Sequence, residues 1–186
     1  MRGRYAPSPT GLLHLGNLRT AMLAWLFARS SGSTFVLRFE DLDSDAVRPE
    51  FYDEQRRALE RLGVDWDDEL RQSEHRDRYR AALADLVDHG LTYRCYCTRR
   101  EIREAASAPH GELPEGAYTG TCRELSQEAM RAHERDGRTP ALRLRAAGER
   151  LSFEDRLLGT VTGVLDDTVI ARRDGTPAYT LVVGVD

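Results

Sequence analysis

Three groups of residues have the types and spacing to do chemistry. The first is the run Arg4-Tyr5-Ala6-Pro7-Ser8-Pro9-Thr10-Gly11-Leu12-Leu13-His14-Leu15-Gly16-Asn17. It reads as a stiff Pro-x-Pro turn, a glycine that permits close backbone approach, and a histidine and an asparagine at the mouth of a helix. Free N–H groups at a helix N-terminus attract anions, and a histidine there can donate to a phosphate oxygen. The second group is the acidic run Glu40, Asp41, Asp43 and Asp45. It has the composition of a Mg²⁺ site or of a solvated face. The third is Cys95, Cys97 and Cys122, three soft ligands for zinc where the usual number is four. By residue chemistry His110 is the natural fourth ligand. Tyr118 is an unusual one, because its phenol must give up a proton. Without a metal the group is three buried thiols.

These residues need elements to position them. Apolar spacing predicts a helix over residues 17–29, with Leu18, Ala21, Met22, Trp25 and Leu26 on one face and Gly32 beyond its end. A β-rich run, Thr34–Phe39, leads directly into the acidic group. Pro49 opens a second helix carrying Tyr52, Gln55, Leu59 and Leu62, and Gly63 follows it. A third helix is expected over 74–89, with Tyr79, Ala82, Leu83, Leu86 and Val87 inward and Gly90 as its stop. This order of elements predicts α/β architecture for residues 1–90. A boundary near residue 90 separates it from a second segment, 91–186. There, Thr98 and Glu101 form a capping-box pattern, a Pro- and Gly-rich loop covers 108–120, and a helix is expected over 126–136. Runs at 141–145, 160–165, 168–172 and 178–183 read as strands.

Composition narrows the chemistry. The chain has 186 residues with 27 basic side chains, 31 acidic ones and a net charge of −4. Every basic residue is arginine. Schiff-base and P-loop lysine chemistry are therefore excluded for these residues, and phosphate must be held by arginine, histidine, backbone N–H groups or a metal. The net charge argues against indiscriminate nucleic-acid binding. A local basic face remains available in Arg94, Arg99, Arg100, Arg103, Arg143, Arg145, Arg172 and Arg173. No apolar run approaches the ~20 residues of a membrane span, and the start lacks the apolar core of a signal peptide. Three clustered cysteines do not make a disulfide scaffold, so the expected compartment is the cytoplasm, without membrane association.

The run from Arg4 to Asn17 resembles the first, "HIGH", signature of class I aminoacyl-tRNA synthetases in its glutamyl form. The similarity continues through Leu37-Arg38-Phe39-Glu40-Asp41-Leu42-Asp43, Leu62-Gly63-Val64-Asp65-Trp66-Asp67, Cys95-Tyr96-Cys97-Thr98, Tyr118-Thr119-Gly120-Thr121-Cys122-Arg123 and Asp174-Gly175-Thr176-Pro177-Ala178-Tyr179. Within that family the chain is most similar to the glutamyl-Q tRNA(Asp) synthetases. The segment from Asp65 to Glu74 has no long insertion, and Leu42 stands where the larger glutamyl enzymes usually carry Thr.

The resemblance implies the first half of a Rossmann-type nucleotide-binding domain, with an inserted α+β subdomain that bears zinc. It implies activation of L-glutamate by ATP and transfer to the queuosine base of tRNA(Asp). Arg4, Tyr5, Ala6, Pro7 and Ser8 would line the glutamate pocket, with Arg4 pairing the substrate carboxylate. Glu40 would accept the substrate ammonium, and Tyr179 would close the pocket. Thr10, Gly11, His14, Gly16 and Asn17 would hold ATP, His14 and Asn17 contacting the transferring α-phosphate. Mg²⁺ would arrive with ATP, leaving Asp41 and Asp43 structural. Cys95, Cys97, Tyr118 and Cys122 would bind a structural zinc, with Tyr118 as the fourth ligand. The expected assembly is a monomer.

Family members continue into a second half with another substrate arginine and a lysine-bearing "KMSKS" loop. Residues through Asp186 include neither, so the chain is expected to be a fragment or truncated product. Two other classes fit parts of the pattern. One is a fragment of a glutamyl-tRNA synthetase or a non-catalytic tRNA-binding module derived from one. The other is a nucleotidyl transferase sharing the histidine signature, which the glutamate-type pocket and the cysteines argue against.

Overall fold

A computed structural model describes residues 2–106, 118–146 and 148–186. The chain divides into two compact units, Met1–Arg76 and Asp77–Asp186. The sequence suggested a boundary near residue 90.

The first unit is built from β1 (Arg2–Tyr5), α1 (Leu15–Ser30), β2 (Thr34–Phe39), α2 (Pro49–Arg61) and β3 (Asp68–Arg71), followed by a 3-10 turn, Gln72–His75. The strands form a parallel sheet in the order β1-β2-β3, with Tyr5 opposite Leu37 and Phe39 opposite Arg71. Residues 35–39 of β2 are all buried, as befits a central parallel strand covered on both faces. Its one charged member, Arg38, is as buried as its apolar neighbours. Tyr5, Ala21, Ala28, Phe35, Leu37, Phe39, Leu59 and Val64 make the core. At Gly3 a Cβ would lie 2.5 Å from the Ala28 Cβ, so only glycine lets β1 and α1 approach this closely.

Predicted β2 matches its observed limits, and α2 begins at Pro49 as expected but ends at Arg61, leaving Leu62 as its exposed C-cap. The first helix begins earlier than the apolar spacing predicts, at Leu15. Leu26 points outward rather than inward. β1 and β3 are too short and too polar to have read as strands. Their order comes from hydrogen bonding to β2.

The second unit holds α3 (Arg76–Asp88, whose first residue closes the first unit), β4 (Thr92–Cys95), α4 (Arg99–Ala106), α5 (Gln127–Arg135), β5 (Ala141–Leu144), β6 (Arg150–Asp155), β7 (Gly159–Val164), β8 (Val169–Ala171) and α6 (Tyr179–Val185). Strands β4, β5 and β8 form an antiparallel sheet, and β6 with β7 forms a separate hairpin. The capping box is present: Thr98 N–H donates to Glu101 Oε2 at 2.6 Å and Glu101 N–H to Thr98 Oγ1 at 3.2 Å. Val87, expected inside, is exposed. The run 178–183 is a correction: it is helical, opened by Ala178 and buried through Leu181 and Val182. A short apolar run has no period long enough to separate strand from helix.

Candidate functional site

In the first unit the Pro- and Gly-punctuated loop after β1 is tied down from three sides. Glu40 N–H donates to Pro7 O at 2.9 Å and Arg48 N–H to Pro9 O at 3.0 Å. Gln55 Nε2, buried on α2, donates to Ser8 O at 3.0 Å and to Gly11 O at 2.7 Å. Loop carbonyls that would otherwise be left without donors are thereby satisfied, and the loop holds one shape before any ligand arrives.

The loop ends at a helix cap made by the signature residues themselves. His14 is the N-cap of α1: its Nδ1 accepts from Gly16 N–H at 3.0 Å, and its own N–H donates to Asn17 Oδ1 at 3.1 Å. With Nδ1 as acceptor, the neutral ring carries its proton on Nε2, and the side chain is exposed. A Cβ on Gly16 would come within 2.9 Å of the His14 ring, so glycine is what allows the ring to lie there. The first turn of α1 contains no acidic residue, which leaves its positive end open to an anion.

Glu40 stands at the C-terminal end of β2, the edge where open α/β sheets place ligands. Its Oε1 accepts from Arg38 Nη2 at 2.9 Å, and Arg38 is 1% exposed against 16% for Glu40. Arg4 is exposed on β1, and its side chain makes no hydrogen bond or ion pair among the described residues. Tyr5 and Pro7 are buried, Ala6 and Gly11 are half-buried, and Ser8 and Thr10 are exposed. The Tyr5 hydroxyl lies buried without a partner among the described residues, and burial pushes its phenol up to about 12.

Among the described residues the remaining acids form no cluster of metal-ligating groups. Asp41 is buried and accepts from Tyr52 Oη at 2.7 Å, Ser73 N–H at 2.7 Å and Ser73 Oγ at 2.6 Å. It is a tie between α2 and the 3-10 turn, in agreement with its expected structural role. Asp65 and Asp67 are also structural. Trp25 Nε1 and Arg29 donate to Asp65, and Phe35 N–H and Arg29 to Asp67. Those donors hold both carboxyls below the usual range, with Trp25 the leading cause for Asp65 and the Phe35 amide for Asp67.

The second unit brings the cysteines together. The Sγ atoms of Cys95, Cys97 and Cys122 all lie within 4.8 Å of one another. The Tyr118 hydroxyl sits 3.4 Å from Cys95 Sγ and 3.6 Å from Cys97 Sγ, and Cys97 Sγ is 3.4 Å from Cys122 Sγ. Cys122 N–H donates to the same hydroxyl at 2.9 Å. A tetrahedral zinc with three sulfur ligands and one oxygen has edges of about 3.5–3.8 Å; the three side-chain distances of 3.4–3.6 Å come near them, and the donor types suit that ion. The thiols already share charge unequally. Hydrogen bonding to Cys122 and then burial push Cys95 up to about 12, while Cys122 is drawn down to about 6, chiefly by Cys95. His110 and the greater part of the 108–120 loop lie outside the described residues.

Tyr179 belongs to the second unit, where it opens α6 and is 59% exposed. Of the arginines with a basic-face reading, Arg94 pairs with Glu134 and Arg145 with Glu124. Arg143 is not on the surface at all: it is 6% exposed. Sequence reasoning passed over Gln55, Arg38 and Arg143 as supports. The available signal was a polar residue on an otherwise apolar helix face or within a strand.

Over its full length, residues 1–186, the chain matches the family described as tRNA synthetases class I (E and Q), catalytic domain. It belongs to that family. It is 59% identical to the glutamyl-Q tRNA(Asp) synthetase of Nocardia farcinica, over 99% of this chain and 58% of that protein. It is 50% identical to the enzyme of the same name from Deinococcus radiodurans, over 99% of this chain and 61% of that protein. Among solved structures it resembles a glutamate tRNA ligase from Elizabethkingia meningosepticum in complex with its amino acid. The TM-score is 0.76 and the identity 30%, over all of this chain and 41% of that one. The chain thus spans less than two thirds of the length of these relatives. The α/β fold expected from the sequence is that of the class I synthetase catalytic domain.

Proposed function

We propose that this chain supplies the glutamate- and ATP-binding half of a glutamyl-Q tRNA(Asp) synthetase. The observation that carries the reading is the juxtaposition of a rigid signature loop, an exposed His14 at an acid-free helix N-terminus, and a Glu40 carboxylate oriented by Arg38. Glu40 accepts the substrate ammonium, and Arg4, with no protein partner among the described residues, pairs a substrate carboxylate. Tyr5, Ala6, Pro7 and Ser8 shape the pocket. Thr10, Gly11, His14, Gly16 and Asn17 bind ATP, with the His14 Nε2–H donating to the α-phosphate as charge develops on it. Glutamate carboxylate attacks that phosphorus, the bond to the β-phosphate oxygen breaks and pyrophosphate leaves; Mg²⁺ arriving with ATP would neutralise phosphate charge. The protein works by orientation and electrostatics, without a covalent nucleophile.

Cys95, Cys97, Tyr118 and Cys122 hold a structural zinc, which ties together a module whose small core consists largely of the ligands themselves. Residues 1–90 act as the N-terminal half of the catalytic domain and 91–186 as the zinc-bearing insertion with return strands. The reading includes a cytoplasmic monomer that acts on tRNA(Asp). Among the described residues no helix is long and apolar enough to cross a membrane.

Glutamate-dependent ATP–pyrophosphate exchange, with calorimetry of glutamate binding, tests the reading. Exchange without tRNA supports it. Exchange only in the presence of tRNA points to a glutamate–tRNA ligase, and tRNA binding with no exchange points to a binding module. Glu40→Ala is expected to abolish glutamate binding, and unchanged affinity overturns the assigned role.

A further inference from the structure

A zinc ion held by three thiolates carries net negative charge, and more if the phenol ionises. Buried charge is strongly unfavourable unless an opposite charge accompanies it. The second unit contains a cation placed for that purpose. Arg143 is the buried member of β5, and the pairing of β5 with β8 shifts register between Leu142 and Arg143. Such irregularities re-aim a side chain. The Arg143 guanidinium carbon lies 3.8 Å from the centre of the Tyr118 ring.

Among the described residues Arg143 makes no ion pair. One Nη donates to the Asp167 carbonyl oxygen, and its buried Nε has no hydrogen-bond partner. The nearby Asp167 carboxylate bonds to Arg123 at 2.7 Å, Tyr93 Oη at 2.6 Å and Ala146 N–H at 2.9 Å. A guanidinium buried against an aromatic face, with no acid paired to it among the described residues, has no counterion there. An anionic metal–ligand set supplies one.

We propose that Arg143 is the built-in countercharge of the Cys95–Cys97–Tyr118–Cys122 centre and sets its affinity for zinc. It touches the ligands rather than the metal, so it acts as a positioning and electrostatic residue. The proposal rests on the zinc reading given above.

The test is chelator competition for zinc on the wild-type chain and on Arg143→Gln, Arg143→Lys and Tyr118→Phe. Loss of an outer-shell partner typically lowers metal affinity about 10–100-fold. That loss is expected for Arg143→Gln, with most of the affinity retained in Arg143→Lys. The Arg143→Gln penalty is expected to shrink when Tyr118 is already Phe, a coupling that general loss of packing does not produce. If Arg143→Gln folds only with metal, it is refolded in zinc and the rate of zinc release to the chelator is compared instead. Equal affinity or release rate in wild type and Arg143→Gln overturns the proposal. So does an equal penalty with and without the Tyr118 hydroxyl. A wild-type chain that takes up no zinc overturns the zinc reading itself, and the countercharge with it.

Discussion

The two units hold their candidate sites in opposite ways. In the first, the chemistry-bearing groups are exposed and backbone bonds keep them in place. Gln55, Glu40 and Arg48 fasten the loop, and His14 and Asn17 are fixed as a helix cap. The hydrophobic core is largely separate from the site and shares only Tyr5 with it. In the second, the candidate ligands are themselves most of one small core cluster, apart from the buried Tyr79, Ile170, Leu181 and Val182: Cys95, Tyr118 and Cys122 are buried with Tyr93, and Cys97, Ile102 and Leu125 lean on them. The first site is organised in advance for a ligand that comes and goes. The second is built to be completed once and kept. A site resting on a separate core survives loss of its functional groups, whereas a core made of ligands does not survive loss of its metal.

The strongest way to break this contrast is to remove the proposed metal. Cys97→Ser, or chelation of the wild type, is expected to unfold the segments around the cysteines, residues 92–106 and 118–125, and leave 2–76 folded. The expected loss is several kcal/mol, a fraction of the ~10–16 kcal/mol of zinc-finger sites. Amide exchange read separately over those segments and over 2–76 checks this, and uniform loss of protection would show that the sites do not differ as described.

A smaller effect is expected at Gly16. Gly16→Ala removes the space for the His14 ring, so nucleotide affinity should fall about 10-fold, the worth of one hydrogen bond to a charged group. Helix propensity pushes the other way by about 1 kcal/mol, since alanine replaces glycine. Binding should therefore fall while thermal stability holds or rises. A parallel fall in both would place the defect in the fold.

The smallest effect is acid sensitivity of the first unit. Asp65 and Asp67 have folded-state carboxyls held below the unfolded value. Their contribution is present above about pH 4 and lost as pH falls through the lowered values. Melting curves of wild type and Arg29→Met should differ at neutral pH and converge in acid. A gap that widens as pH falls would contradict the sign.

Much of the fold was legible because β2 and α2 carry unambiguous local signals: a β-rich apolar run, a proline at the first helical position and a glycine past the end. The elements that were missed carry none. Arg2–Tyr5 and Asp68–Arg71 are strands because β2 offers them hydrogen bonds, not because their side chains alternate. Residues 178–183 are apolar enough for either structure. Packing of Leu181 and Val182 accompanies the helix.

The candidate residues themselves were determined by the sequence, since the signature run, Glu40 and the cysteines are short-range patterns of side-chain chemistry. The tertiary structure decided their supports and the sorting of like from like. Asp41 turns inward to Tyr52 and Ser73 while Glu40, one residue earlier, remains partly exposed beside Arg38. Arg143 goes under the cysteine cluster while Arg145, two residues on, pairs with Glu124 at the surface. Adjacent acids and neighbouring arginines are chemically equivalent along a chain. Burial and partners from distant segments distinguish them, and both exist only once the chain has folded.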